Sequence, residues 1–371
     1  MMKHIIIGAG ILGASTAYHL AKKNEKVTVI DRHEPGQATR NAAGIVCPWL
    51  TNRSNKAWYE LVIRGAKFYP ALIEELTREG EKETGYEQVG AVNIFDTEEK
   101  LGRKMEVAYK RKEDAPEMGE ITRLSPEQTK RLFPPVSEIY RAIHISGAAR
   151  VNGAALNDSL LRAAQKNGVD VIHGDASLLF KNEAIQGVEV NSESHYADQV
   201  IVTNGAWTNA LFEAVGMKSK VTFEKAQIIH LHTPGMDTSR WPVMLPPFNH
   251  YMLTFGGGKI VIGATRENTS SFDSRVTIGP VHQLMDKALS VAPGLADASY
   301  LGTKVGFRPF TLGSLPVIGR VPGFSNVLIA NGLGASGLTS GPYVGAQLAK
   351  LAIGEKPEFS MESFDPKDLF V

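Results

Sequence analysis

Apolar runs at His4–Ile7, Val27–Ile30 and Val327–Ala330 read as buried strands, and each stops abruptly at a small or acidic residue. The first runs into Gly8-Ala9-Gly10-Ile11-Leu12-Gly13, and a helix over Gly13–Lys22 follows. The second ends at Asp31, and the third leads through Asn331–Gly337 into a helix over Leu338–Ile353. Between them the pattern changes. Lys56–Arg78 reads as a helix that Pro70 should kink or break. Glu98–Lys112 is a charged, solvated helix, followed by a loop over Glu113–Gly119, and Ser125-Pro126-Glu127-Gln128 is a helix start. Leu156, Leu160, Leu161 and Ala164 give Gly153–Asn167 an amphipathic face, stopped by Gly168. Strands are expected at Val169–His173, Ser177–Phe180, Ala184–Val190 and His195–Val202, the last turning at Thr203–Trp207 into a helix. Longer strands of a separate antiparallel sheet are expected at Val221–Leu231, Tyr251–Phe255 and Ile260–Ala264.

The opening strand–turn–helix–strand unit has the chemistry of a dinucleotide site. Gly8 permits the turn, Gly10 lets the backbone approach a pyrophosphate, and Gly13 lets helix and strand pack closely. Phosphates favour the helix N-terminus, where free N–H groups and the macrodipole attract anions. Asp31 would accept ribose hydroxyls and repel a 2′-phosphate. A secretory leader over Met1–Ala21 is the competing reading, but glycines interrupt its apolar centre and Tyr18 and His19 follow.

Composition narrows the partners. The 371 residues carry 40 basic and 39 acidic side chains, a net charge of +1, which gives no support for nucleic acid or an anionic membrane surface. No apolar run approaches the roughly 20 residues of a membrane span. Cys47 is the single cysteine, so no intrachain disulfide forms. A cytoplasmic protein is the simplest expectation. His4, His19, His144, His173, His230 and His232 lack zinc-like spacing, so no metal is expected, and no Gly-x-Ser-x-Gly hydrolase motif occurs. Glu224 and Lys225 read as ordinary sheet residues.

Four segments together resemble the FAD-dependent D-amino-acid oxidase family, which includes glycine oxidase, sarcosine oxidase and D-amino-acid dehydrogenases. They are Gly8–Gly13 with Asp31, Ala38–Gly44, Ile201–Trp207, and Gly306–Gly319 with the Gly332–Gly337 turn. The Arg308-Pro309 to Pro316-Val317-Ile318-Gly319 block is the most specific. The resemblance spans nearly the whole chain. It implies an α/β fold: a Rossmann-type FAD-binding domain (1–84, 141–218 and 300–371) interleaved with an antiparallel-sheet substrate domain (85–140 and 219–299).

The resemblance also implies site residues. FAD contacts fall on Gly8, Gly10, Ile11, Leu12, Gly13, Asp31 and Arg32, then on Thr39, Arg40, Asn41, Ala43 and Gly44. Further contacts fall on Asn204 and Gly205, and on Gly334, Ser336, Gly337, Leu338 and Thr339. Arg308 and Tyr251 would hold a substrate carboxylate. The implied reaction is oxidative deamination of a small amino acid, of the glycine or D-amino-acid type, by hydride transfer from the α-carbon to flavin N5. Relatives that bind flavin covalently use a cysteine after the Arg-Pro or a histidine in the second segment. Thr311–Leu315 has no cysteine and Asn41 takes the histidine position, so FAD should be non-covalent. Val261 stands where sarcosine oxidases carry an oxygen-activating lysine, which weakens that reading. Cys47 reads as packing. Oxidation of another amine or a hydroxy acid, a non-catalytic FAD subunit of a larger dehydrogenase, a homo-oligomer and an electron-acceptor partner stay open.

Overall fold

The computed structural model describes residues 1–182 and 184–371. Strand β1 (Lys3–Ile7) leads into helix α1 (Ile11–Ala21) and strand β2 (Lys26–Asp31). Helix α2 (Lys56–Arg78) follows, then β3 (Ala91–Phe95), α3 (Glu98–Lys112), β4 (Ile121–Leu124) and β5 (Arg141–Ile145). Helix α4 (Gly153–Lys166) returns the chain to β6 (Asp170–His173), and a three-stranded meander precedes β7 (Gln199–Val202). Then come β8 (Thr222–His232), β9 (Val243–Leu245), β10 (Tyr251–Phe255) and β11 (Lys259–Gly263). Strands β12 (Ser299–Phe310), β13 (Val317–Arg320) and β14 (Val327–Asn331) precede the last long helix, α5 (Gly337–Ala352).

Two sheets organise these elements. The first runs β13–β14–β7–β1–β2–β6 and is parallel except for the β13–β14 pair. Its inner strands are buried on both faces, which is why they read as unbroken apolar runs. Helix α1 is buried almost all round and packs on α5. A Cβ on Gly345 would lie 2.6 Å from that of Ser15, so the missing side chain sets how closely the two helices approach. Ser15 Oγ donates to the Pro342 carbonyl at 2.6 Å across this contact.

The second sheet is mostly antiparallel. It runs β8–β11–β10–β9–β3–β5–β4, with β12 on the other flank of β8. The loop after β2 reaches β12: the Phe307 amide donates to the Gly36 carbonyl at 2.9 Å. That junction brings the end of β12 beside the glycine turn of the first sheet.

Some elements differ from the sequence reading. The stretch expected as one strand over His195–Val202 is cut at Ala197–Asp198, because its halves serve different sheets. Glu193–Tyr196 closes the meander while β7 joins β1. At the cut, Asp198 Oδ2 accepts the Lys3 amide at 2.7 Å. Helix α2 continues through Pro70, held by the buried face of Leu61, Val62, Ala66, Tyr69, Leu72 and Leu76. The boundaries drawn at 140/141 and 299/300 pass through the second sheet, since β5 and β12 pair within it. The helix start at Ser125 forms a full capping box with Gln128. Among the described residues, no helix is long and apolar enough to cross a membrane.

Candidate active site

The glycine turn after β1 divides its labour. Gly8 has φ +101° and its amide donates to the Ile30 carbonyl at 2.8 Å, tying the turn to β2. A Cβ there would lie 2.7 Å from Asn204 Cα, and one on Gly13 would lie 1.9 Å from the Gly8 carbonyl oxygen. Both glycines therefore serve the protein's own packing. Gly10 differs: an added Cβ meets only Thr39 Oγ1, at 3.3 Å. Its bare face looks into a cavity of about 350 Å³.

Two helix N-termini open on that cavity. Helix α1 starts at Gly10 with no side-chain cap from that residue and no acid in its first turn, and Thr39 Oγ1 takes the Ile11 amide at 3.0 Å. Helix α5 starts at Ser336, again without a side-chain cap or an acid in the first turn. The Ser336 hydroxyl instead donates to the Leu333 carbonyl at 2.8 Å. Neither dipole is neutralised by a carboxylate in its own first turn, so both favour an anionic ligand.

Asp31 is set by the backbone around it. Its Oδ2 accepts the Ala9 amide at 2.7 Å, and Oδ1 accepts the His33 amide at 2.6 Å and Gln37 Nε2 at 2.9 Å. The carboxylate is buried and oriented before any ligand arrives.

Arg308 and Tyr251 line the same cavity. Arg308 pairs across the sheet with Glu224, but Glu224 is taken by Arg266 at 3.0 Å. Among the described residues, no carboxylate lies within ion-pair distance of Arg308. The Tyr251 hydroxyl lies beside its guanidinium. Burial pushes the phenol above its ordinary value, and the guanidinium draws it back only in part. The phenol is therefore protonated at neutral pH and able to donate. Room for it comes from Gly263, where a Cβ would lie 2.8 Å from the Tyr251 oxygen. A free guanidinium with a phenolic donor alongside is a receptor for a carboxylate.

The sequence-named residues mostly meet here. Gly8, Gly10, Ile11, Leu12, Asp31, Arg32, Thr39, Asn41, Ala43, Gly44, Asn204, Gly205, Gly334, Gly337 and Leu338 line the cavity with Arg308 and Tyr251. Four do not. Gly13 packs on Gly8, and Arg40 pairs with Asp158. Ser336 Oγ also accepts Trp58 Nε1 at 3.2 Å, and Thr339 Oγ1 donates to the Ile45 carbonyl at 2.9 Å. Sequence reading missed Gln37 and the Gly174–Ala176 turn, which also form the wall. That turn follows β6, next to β2, with the Gly174 amide on the Asp31 carbonyl at 3.1 Å. The signal for it was position: ligands bind beyond the carboxyl ends of parallel strands. Cys47 lies outside the wall, and burial pushes its thiol up to about 12. Lys225 is buried, its Nζ donating to the Arg275 carbonyl at 2.7 Å, and Val261 is buried in β11.

The contrast among the glycines gives a test. Gly10→Val should change unfolding free energy by about 1 kcal/mol or less, because the added Cβ meets only the Thr39 hydroxyl, at 3.3 Å, which has to give by a few tenths of an ångström. Dinucleotide affinity should fall by about tenfold or more, measured by titrating the apoprotein. An unchanged affinity would show that the ligand backbone does not approach Gly10.

Comparison with known proteins gives the same direction. The sequence model of the family described as "FAD dependent oxidoreductase" matches residues 3–351. The chain is 55% identical over 367 residues to the "Uncharacterized oxidoreductase YurR" of Bacillus subtilis (strain 168), covering 99% of both. It is 28% identical to the glycine oxidase of Pseudomonas aeruginosa PAO1 over 98% of each chain. Its fold is similar to the crystal structure of an iminodiacetate oxidase from Chelativorans sp. BNC1. The TM-score is 0.95 at 44% identity, covering 98% of each chain.

Proposed function

The chain belongs to the FAD-dependent oxidoreductases, and from that premise we propose that it oxidises the C–N bond of a small amino or imino acid whose carboxylate sits on Arg308. The observation that carries this reading is the unpaired Arg308 guanidinium beside a protonated Tyr251 in the cavity wall. Relatives named for glycine and iminodiacetate support it, since both compounds place a carboxylate next to the carbon bonded to nitrogen.

The residues present fit the cofactor. Gly10 leaves its face bare, Asp31 is poised for ribose hydroxyls, and the two open helix N-termini favour phosphate and developing negative charge. When bound, FAD supplies a two-electron acceptor that takes the α-hydrogen with its electron pair. The protein's own part is positional. Arg308 binds the carboxylate through two parallel N–H bonds and Tyr251 donates a third, which fixes the α-carbon. The substrate amine enters neutral, having lost its proton to solvent. Loss of the α-hydrogen leaves an imine, and water splits it into an oxo acid and ammonia or a smaller amine. Neither Arg308 nor Tyr251 has to transfer a proton.

Among the described residues, no cysteine or histidine lines the cavity. Acid precipitation should therefore release the yellow colour to the supernatant. Colour retained in the pellet would refute a non-covalent flavin.

The reaction class is tested anaerobically. Holoenzyme is mixed with glycine, N-methylglycine, iminodiacetate, a set of D-amino acids and a 2-hydroxy acid while the flavin absorbance is followed. Bleaching by an amino or imino acid supports the reading. Bleaching by the hydroxy acid alone, or by nothing in the panel, refutes it.

A further inference from the structure

Arg308 stands opposite an acid that it does not bind. Glu224 on β8 is its register partner, and such cross-strand partners hold their Cβ atoms about 4.5–5.5 Å apart. Both side chains lie on the cavity face of the sheet. Ala226 and its partner Gly306, two residues away along each strand, line the cavity with Arg308, and side chains alternate along a strand. An acid and an arginine so placed ordinarily pair. Among the described residues, no carboxylate lies within ion-pair distance of Arg308, and the reason is Arg266.

Arg266 precedes the two-residue strand Glu267–Asn268, which runs along β8 and pairs Asn268 with Glu224. Its guanidinium takes the Glu224 carboxylate as a fork. Nε donates to Oε2 at 3.2 Å and Nη2 to Oε1 at 3.0 Å. Both carboxylate oxygens are thereby engaged, and Arg308 is left with the Tyr251 hydroxyl beside it. The neighbouring lysines are committed elsewhere. Lys220, which lines a second cavity with Glu224, donates to the Asp368 carbonyl at 3.0 Å, and Lys225 donates to the Arg275 carbonyl at 2.7 Å. The ion pair is lopsided: the Glu224 side chain is 18% exposed and that of Arg266 is 61% exposed. The acid is the member shielded from water. Without Arg266 it becomes a partly desolvated carboxylate with the free Arg308 guanidinium across the strand.

We propose that Arg266 is a positioning residue for substrate binding: it holds Glu224 off Arg308 and so keeps the Arg308 fork open for the substrate carboxylate. This rests on the carboxylate reading of Arg308 given above. Arg266 need not touch the substrate. In its absence Glu224 occupies the Arg308 fork as an internal carboxylate, and an incoming one has to displace it. The loss therefore falls on affinity: KM rises while kcat at saturation holds.

The test uses methylthioacetate, a monocarboxylate without an oxidisable amine. It is titrated into holoenzyme while the flavin spectrum is followed. The proteins are wild type, Arg266→Gln, Arg266→Lys, Glu224→Gln, the Arg266→Gln/Glu224→Gln double variant and Arg308→Ala. Arg266→Gln should keep its flavin and bind about tenfold more weakly, the factor for displacing one charge-assisted pair. Arg266→Lys, which keeps the charge, should recover most of that loss. Glu224→Gln should stay within about twofold of wild type, because its carboxylate is already out of play, and the double variant should regain that affinity. The loss in Arg266→Gln should persist in about 1 M salt, where a Debye length of about 3 Å removes the influence of distant charge.

Wild-type affinity in Arg266→Gln overturns the proposal. So does a double variant as weak as Arg266→Gln, which would make Arg266 a loop support or a direct ligand contact. Disappearance of the loss in high salt overturns it too, by reducing Arg266 to a distant charge. None of these three results touches the Arg308 reading. No binding by wild type, or no loss in Arg308→Ala, overturns the Arg308 reading and this one with it.

Discussion

Arg308→Ala yields a protein that stays yellow but binds carboxylates weakly. The guanidinium has no acidic partner among the described residues, so its removal orphans no protein charge and the fold keeps its stability. What is lost is the ligand's partner in a partly desolvated site. Breaking such a pair costs on the order of 2–5 kcal/mol, or roughly 30- to several-thousand-fold in Kd. Arg308→Lys keeps the charge and loses the fork, and falls between the two. Benzoate or the best amino acid, titrated while the flavin spectrum is followed, reads the effect. Wild-type affinity in the alanine variant refutes the assignment. Loss of flavin does so too, because it would make Arg308 a support of the cofactor. The pH profile adds a second reading. Burial raises the Tyr251 phenol, so its donated bond is fully present at neutral pH and fades only as pH rises through that raised value. Carboxylate affinity is therefore flat between about pH 6 and 9.

Asp31→Ala yields a protein purified with most of its flavin missing. The carboxylate does two jobs, and the substitution removes both. It holds Ala9, His33 and Gln37 in place, through bonds of 2.7, 2.6 and 2.9 Å, and it faces the cavity where ribose hydroxyls would lie. Hydrogen bonds to a charged group are each worth about 1.5–3 kcal/mol, so FAD affinity falls by roughly a hundredfold or more. The apoprotein also loses several degrees in Tm, because the two amides and the Gln37 side chain lose their acceptor. Asp31→Asn keeps one acceptor but turns an NH₂ toward donors, and it loses flavin nearly as well. The ratio of protein to flavin absorbance after purification measures the first effect, and thermal unfolding of the apo forms measures the second. Full occupancy at sub-micromolar free FAD refutes the role.

The glycine turn and Asp31 were legible from local chemistry, a turn that needs no side chain and an acid ending a strand, whereas Arg308 stood out only through the resemblance of its block to a known family. Other wall residues were hidden because they contribute by position. Gly174–Ala176 reaches the cavity only because β6 lies beside β2, and nothing in its composition reports that neighbour. Ser336 and Thr339 show what position alone leaves open. Their place at the start of α5 was readable, but the direction of each side chain depends on what packs there, and Trp58 and Ile45 claim them. The cut at Ala197–Asp198 was invisible for the same reason, since one continuous stretch serves two sheets.

The strand order of the first sheet bears on how the chain is made. β1 lies between β2, which follows after the α1 crossover, and β7, which starts at Gln199, and β14 joins β7 only after residue 326 has been synthesised. Helix α1 likewise waits for α5, with which Gly345 gives it close contact. The amino-terminal segment leaves the ribosome first, yet β1 lacks β7 until residue 202 and α1 lacks α5 until nearly the whole chain has followed. Through that interval its apolar strand and helix are exposed, and closing loops of this length makes assembly slow. Chains that stop short of α5 should therefore be cleared by proteases or aggregate, and should not accumulate as half-sites.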